Sequence, residues 1–512
     1  MPRNIRIASL SLVLGALAMS PDAHAIHLST DGRGQVLIYP YYTVNGGNTT
    51  LISVVNTTEE AKAVKVRFRE SMNGQEVLQF NLYLGPLDVW TGALIGDSEA
   101  LEPIEAPAAK LLTSDRSCSV PQISAEGQWF DNFEYAFNND DGGPYYNNRT
   151  RAGYIEIIEM GRLTGEFAAA VTRTEAGLPP HCQRLVDAWR SGTQGQANGV
   201  WVDHPDEGLL PPNGGLYGGA EIVDVANGIN LSFGAEALDG FYTLASGSLH
   251  QGPYSMEPHL GSARMSDDGA VSAYVIDDGE LIRLDFDGSM SAAPGLKAMS
   301  AVLMREWIYN EFDINPGFST EWVITFPTRG LHLSYPTQPG TSNDDREPFS
   351  YSYAPPGGEI VYSYAGIDHN LRVTNREGEL PLNGVWFGGQ PGRPGPLELA
   401  ANVVGMGHRV YNGWSWFWHE NVWHGGQPSP VLGSYDTDFI NPIRNEGTAR
   451  LLFSGINGQQ LQDRNGHVIH GLPMLGFSAI KATLDGPDSA LANFSVTHRH
   501  HMKTTVDRAD EN

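Results

Sequence analysis

Between residues 63 and 69, Val64, Val66 and Phe68 alternate with Ala63, Lys65, Arg67 and Arg69. A helix repeats its faces every 3.6 residues and cannot sort these side chains, so the period of two dictates a strand with one buried and one wet face. The same texture surrounds it. Residues 35–44 are aromatic and β-branched, Asn45-Gly46-Gly47-Asn48 is a turn, 49–56 form a second run, and 79–84 and 89–94 complete the series. Strands separated by turns every ~8 to 12 residues predict a mainly β chain of two immunoglobulin-like β-sandwich domains with a few short helices. The 59 glycines and 32 prolines supply turns, and charged residues at 18% are too few for a coiled coil or a disordered tail.

The first 25 residues read as a secretory signal peptide. Arg3 and Arg6 give a basic start, 7–19 is largely apolar, and Ala23-His24-Ala25 is an A-x-A cleavage site, so the mature chain is expected to start at Ile26. That apolar run is shorter than the ~20 residues of a membrane span, and no later stretch is a better candidate, so no membrane span is expected in the mature chain. Export to the cell surface or medium is expected ahead of the periplasm. The net charge is −27, and removal of Arg3, Arg6 and Asp22 leaves the mature chain one unit more negative. Such a field repels nucleic acid, which is excluded as a partner. Cys118 and Cys182 are the two cysteines, and in an exported chain they are expected to form one disulfide rather than a catalytic thiol.

The mature chain divides by composition. A β-sandwich domain is expected over 26–255, with a disulfide-tied insertion at about 100–200 that holds a short helix at 183–190 and a strand at 153–160. A loose Gly/Ser/Met/Asp stretch over 256–295 reads as a linker. A helix is expected from Pro294 to about Asn310, because Leu296, Met299, Val302, Leu303, Trp307 and Ile308 recur at helical spacing. It opens a second β-rich domain over 296–505, with strands near 321–327, 478–484 and 492–498, followed by a tail at 506–512.

Two segments carry a resemblance. The run Arg149-Thr150-Arg151-Ala152-Gly153-Tyr154-Ile155-Glu156-Ile157-Ile158-Glu159-Met160-Gly161 and the run Thr320-Glu321-Trp322-Val323-Ile324-Thr325-Phe326-Pro327-Thr328 resemble a group of uncharacterised exported proteobacterial proteins labelled as cell-surface proteins. Ala152 and Arg329 depart from that group's pattern, which has Glu and Lys there. The resemblance implies a bacterial envelope or secreted protein and names no activity.

No chemistry-bearing motif stands out. The nucleophile elbow G-x-S-x-G and the phosphate-binding glycine loops are missing, and His419-Glu420-Asn421-Val422-Trp423-His424 sets its histidines five apart, about 140° around a helix, too far to share a zinc ion. Asn139, Asp140 and Asp141 could hold calcium in an irregular loop, with further aspartates at Asp267-Asp268, Asp277-Asp278, Asp285 and Asp287. His498 and His500 would point the same way from one strand and could share a metal. Trp414, Trp416 and Trp418 also recur with a period of two, and indoles on an exposed strand face stack on sugar rings. The sequence thus favours a structural or binding role at the envelope, with other surface proteins as partners. Polysaccharide binding through the Trp row is the alternative, and a glycan-active hydrolase a third reading.

Overall fold

The computed structural model describes residues 25–96, 107–332 (except 140, 142, 194 and 290), 347–349, 370–379, 386–388, 397–407, 418–419, 422–423, 428–453 (except 443), 459–483 and 493–509. Strand outweighs helix four to one, at 44% against 11%, so the chain is mainly β as expected.

Two sheets enclose the first core. The larger runs His27–Leu28, Glu236–Asp239, Val36–Thr43, Ala152–Leu163, Lys62–Glu70, Glu76–Leu84 and Cys118–Val120, with Leu209–Leu210 beside Ala152–Leu163. The smaller runs Ile229–Gly234, Leu216–Asp224, Thr49–Asn56, Val89–Ile95, Lys110–Leu112 and Gln128–Trp129. Leu37, Val64, Val66, Phe68, Ile155 and Ile157 meet Ile52, Val54, Trp90, Leu94 and Leu216 between them. The segment 100–200, expected as an insertion, contributes Ala152–Leu163, the strand at the middle of the larger sheet. Its Gly153 crosses so close to its neighbour that an added Cβ would lie 1.8 Å from the Arg69 carbonyl oxygen. Pro40 lacks an amide proton, and the ladder to Ala152–Leu163 shifts register opposite it, between Gly153 and Ile155.

The expected wet face of Lys62–Glu70 is corrected by the structure: all nine residues are buried. A segment around residues 250–260 lies over that face and replaces water with backbone carbonyls. Lys65 Nζ donates to Gly252 O at 2.8 Å, and Arg67 donates to Ser255 O at 2.7 Å and to Pro258 O at 2.9 Å. Carboxylates supply the rest, with Lys62 on Glu159 at 2.7 Å, Arg67 on Glu76, Arg69 on Glu156 at 2.7 Å, and Arg149 bridging Glu70 and Asp141. Alternation told the strand correctly and the solvent wrongly, since period two separates two faces without saying what covers each.

Beyond this layer the larger sheet packs on helices and a hairpin. Cys182–Ala188 is a helix, close to expectation, and Cys182 is disulfide-bonded to Cys118 at the sheet edge. The 256–295 stretch, expected as a linker, carries the hairpin Val271–Asp277 and Glu280–Phe286 in full register, with Val271, Ala273, Leu284 and Phe286 in the core. The helix expected to reach Asn310 spans Pro294–Leu303 only. Met304 is extended, and Trp307–Asp313 is a strand that buries Ile308, Asn310 and Phe312 in alternation between two partner strands. The apparent helical spacing of Trp307 and Ile308 was a coincidence of two periods at the helix end.

The second half repeats the plan. A four-stranded sheet (Asn370–Thr374, Glu446–Leu452, Trp307–Asp313, His501–Lys503) and a six-stranded one (Trp386–Gly388, Thr437–Asn441, Ala401–Met406, Phe318–Thr325, Leu475–Ala482, Phe494–Arg499) share a core of Ile308, Trp322, Ile324, Val404, Ile440 and Leu451. The expected tail is also corrected. Val506–Asp507 pairs with Val468–His470, and Val506 is buried.

The two segments that carry the resemblance meet where the halves join. Tyr154 Oη donates to Pro327 O at 3.1 Å, Thr325 Oγ1 donates to Pro40 O at 2.5 Å, and Tyr41, Ala152, Tyr154, Val323 and Phe477 share one core cluster. Buried Glu321 accepts from Ser429 Oγ and from the amides of Val431 and Leu432, all within 3.0 Å, which pins a loop of the second half.

Candidate functional site

The sequence-derived candidates do not assemble into one site. Trp414 and Trp416 lie outside the described residues. Trp418 begins the two-residue strand Trp418–His419, of whose side chains nothing is described. Asp140 also lies outside. Asn139 ends a short 3-10 helix and donates to Phe133 O. Asp141 is buried and already occupied, accepting from Arg149, Asn73 Nδ2 and the Gly143 amide. Burial works against its charge, but Arg149, Asn73 and Gly143 together hold the carboxyl below the usual range.

His498 and His500 do not form a pair of free imidazoles. His498 is half-exposed, 3.6 Å from Glu311, while the strand ends at Arg499 and His500 turns inward. Both ring nitrogens of His500 are engaged, Nε2 with Val323 O at 3.0 Å and Nδ1 with Asn310 Nδ2 at 3.1 Å. Burial lowers its pKa to about 4, so it is neutral. Among the described residues no three His, Cys, Asp or Glu side chains converge on one point.

One buried hydroxyl–imidazole contact has nucleophile-like geometry. Ser300 Oγ lies 2.8 Å from His332 Nε2 and 3.0 Å from Thr328 Oγ1. Ser300 is fully buried in mid-helix under Thr328, so the contact fixes the helix Pro294–Leu303 against the chain after Phe318–Thr325.

A cleft of about 990 Å³ is the stronger candidate. It opens where the first strand, the loop after Glu236–Asp239, the hairpin and the last strands converge. One wall is apolar: Leu28, Val275, Ile276, Leu281, Val302 and Met502. Gln35 steadies the floor, its side chain donating to Tyr242 O and accepting from the Tyr242 amide. Arg305 and Arg499, the latter paired with Glu236, also line the cleft, as do His27 and His501, and Asp239 is the carboxylate among the lining side chains.

Arg305 stands out. It is 8% exposed, and among the described residues Nη1 alone makes its side-chain hydrogen bonds, to Val302 O at 3.0 Å, Met304 O at 2.7 Å and Thr504 Oγ1 at 3.1 Å. No carboxylate lies within ion-pair distance of it among the described residues; nearby Glu236 is taken by Arg499. Burial pushes the guanidinium down to about 10, with Glu236 opposing and Arg499 reinforcing that shift. Even so it is charged at neutral pH, and its partnerless Nε and Nη2 are not sealed in the interior but open to the cleft, where an anion could pair with them. Sequence reasoning missed this residue because it placed Arg305 inside a helix, and nothing in Met304-Arg305-Glu306 distinguishes it from a solvated arginine.

No protein-family description, curated protein or solved structure matches the chain.

Proposed function

We propose that the chain is an exported bacterial envelope protein, built of two immunoglobulin-like β-sandwich units, whose role is binding and whose binding site is the cleft around Arg305. The cleft carries the reading: a guanidinium with two nitrogens uncommitted among the described residues shares with an apolar wall a space suited to one small molecule. Export rests on the basic and apolar 1–25 segment with its Ala-His-Ala site and on the resemblance to exported cell-surface proteins. The Cys118–Cys182 disulfide suits an oxidising compartment.

Fractionation of the native host with intact-mass measurement tests export directly. The reading expects a chain beginning at Ile26, recovered from the medium or digested by protease added to intact cells. A full-length chain in the cytoplasm contradicts export, and protection until osmotic shock places the protein in the periplasm and removes the surface role.

A further inference from the structure

We propose that the cleft takes an amphiphilic organic monoanion, its carboxylate head on Arg305 and its hydrocarbon body along Ile276 and Leu281. This rests on the reading of the cleft as the binding site and adds the chemical class of its ligand.

Three observations on the cleft select that class. First, Arg305 Nε and Nη2 have no hydrogen-bond or ion-pair partner among the described residues, whereas Nη1 is held rigidly by Val302 O, Met304 O and Thr504 Oγ1. That leaves the fork edge of a pre-oriented guanidinium, the geometry that accepts a carboxylate through two parallel hydrogen bonds. Second, acidic groups limit the charge that fits. Asp239 lines the cleft and Glu236 is already paired with Arg499, so the positive charge left for a ligand is the single one on Arg305. Third, Ile276 and Leu281 face each other across the hairpin, are 60% and 65% exposed, and both line the cleft. Two large aliphatics left in water at the mouth of a cleft gain from covering by a hydrocarbon chain. The overall charge of −27 disfavours polyanions at long range, but a single head group in contact with Arg305 is governed by the local cation.

Calorimetric titration of the mature chain with octanoate, octan-1-ol and octylammonium tests this. Octanoate is expected to bind at least tenfold more tightly than octan-1-ol, and octylammonium more weakly than either. Arg305→Met should bring octanoate to the affinity of octan-1-ol, and Arg305→Lys should restore part of the difference. Because Arg305 also bonds to backbone, a second pair avoids it: Leu281→Asp should weaken octanoate several-fold more than the neutral Leu281→Asn, on an exposed position that folding tolerates. Equal binding of octanoate and octan-1-ol, both weakened by Leu281→Asn, would overturn the anion inference and keep the cleft as a binding site. A preference for octanoate that survives Arg305→Met or is indifferent to Leu281→Asp also overturns it. If neither octanoate nor octan-1-ol binds, the cleft reading falls with it.

Discussion

Lys65 shows what a covered strand face does to a cation. Its Nζ reaches Gly252 O at 2.8 Å and Pro253 O at 3.3 Å but no carboxylate within ion-pair distance among the described residues; Arg67 and Glu76 are its charged neighbours, with opposed effects. Burial, with the Arg67 charge, pushes its pKa down to about 7. The unfolded lysine titrates at ~10.4, so between about pH 7 and 10 the unfolded chain holds a proton that the folded chain has released. Stability should therefore rise with pH across that window. Urea-unfolding midpoints taken from pH 7 to 10 check it: the midpoint climbs in the parent chain and the climb is smaller in Lys65→Met. A flat or falling profile in the parent chain would show that Lys65 stays charged when folded. His250 is a second case, pushed to about 3 by burial, and it stays neutral with its ring between Tyr83 Oη and Pro205 O.

Elements were more legible than their surroundings. The strands expected at 49–56, 89–94, 153–160 and 492–498 appear as Thr49–Asn56, Val89–Ile95, Ala152–Leu163 and Phe494–Arg499, because β-branched runs closed by Gly and Asn turns leave few alternatives. The disulfide was legible from the cysteine count together with the expectation of export. It links the edge strand Cys118–Val120 to the helix Cys182–Ala188 across 64 residues, a loop that contains the middle strand of the larger sheet. In the chain-entropy treatment such a closure contributes roughly 4 kcal/mol. The double variant Cys118→Ser/Cys182→Ser should lose stability of that order in denaturant titration; an unchanged midpoint would mean that the cross-link restrains nothing in the unfolded chain. What the sequence hid was tertiary: the carbonyl-lined cover over Lys65 and Arg67, and the hairpin within the supposed linker. The cover leaves no periodic trace, since Gly252, Pro253 and Pro258 read as loop wherever they pack, whereas the hairpin does carry one, Ile282, Leu284 and Phe286 alternating with Arg283 and Asp285, beneath a Gly/Ser/Asp-rich composition that masked it.

At the scale of the molecule, the halves are joined by side chains and by burial. The edge strands Ile229–Gly234 and Phe494–Arg499 abut, with the Asn230 amide donating to Ser495 Oγ at 2.7 Å and Phe233 stacked on Phe477 at 4.6 Å, so each covers an edge that would otherwise invite pairing with another chain. The cleft also draws on residues from both ends of the sequence, from Ala25 to Thr504. Its parts are unremarkable apart from one another, which is why no local motif announced it. Arg305 gains its character only when the hairpin and the last strands close around it. Native mass spectrometry of the protein purified from its own host, beside Leu281→Asp prepared in the same way, tests the binding role most directly. The account predicts one small-molecule adduct per chain in the parent protein and its loss in the variant; no adduct in either, or the same adduct in both, would contradict it.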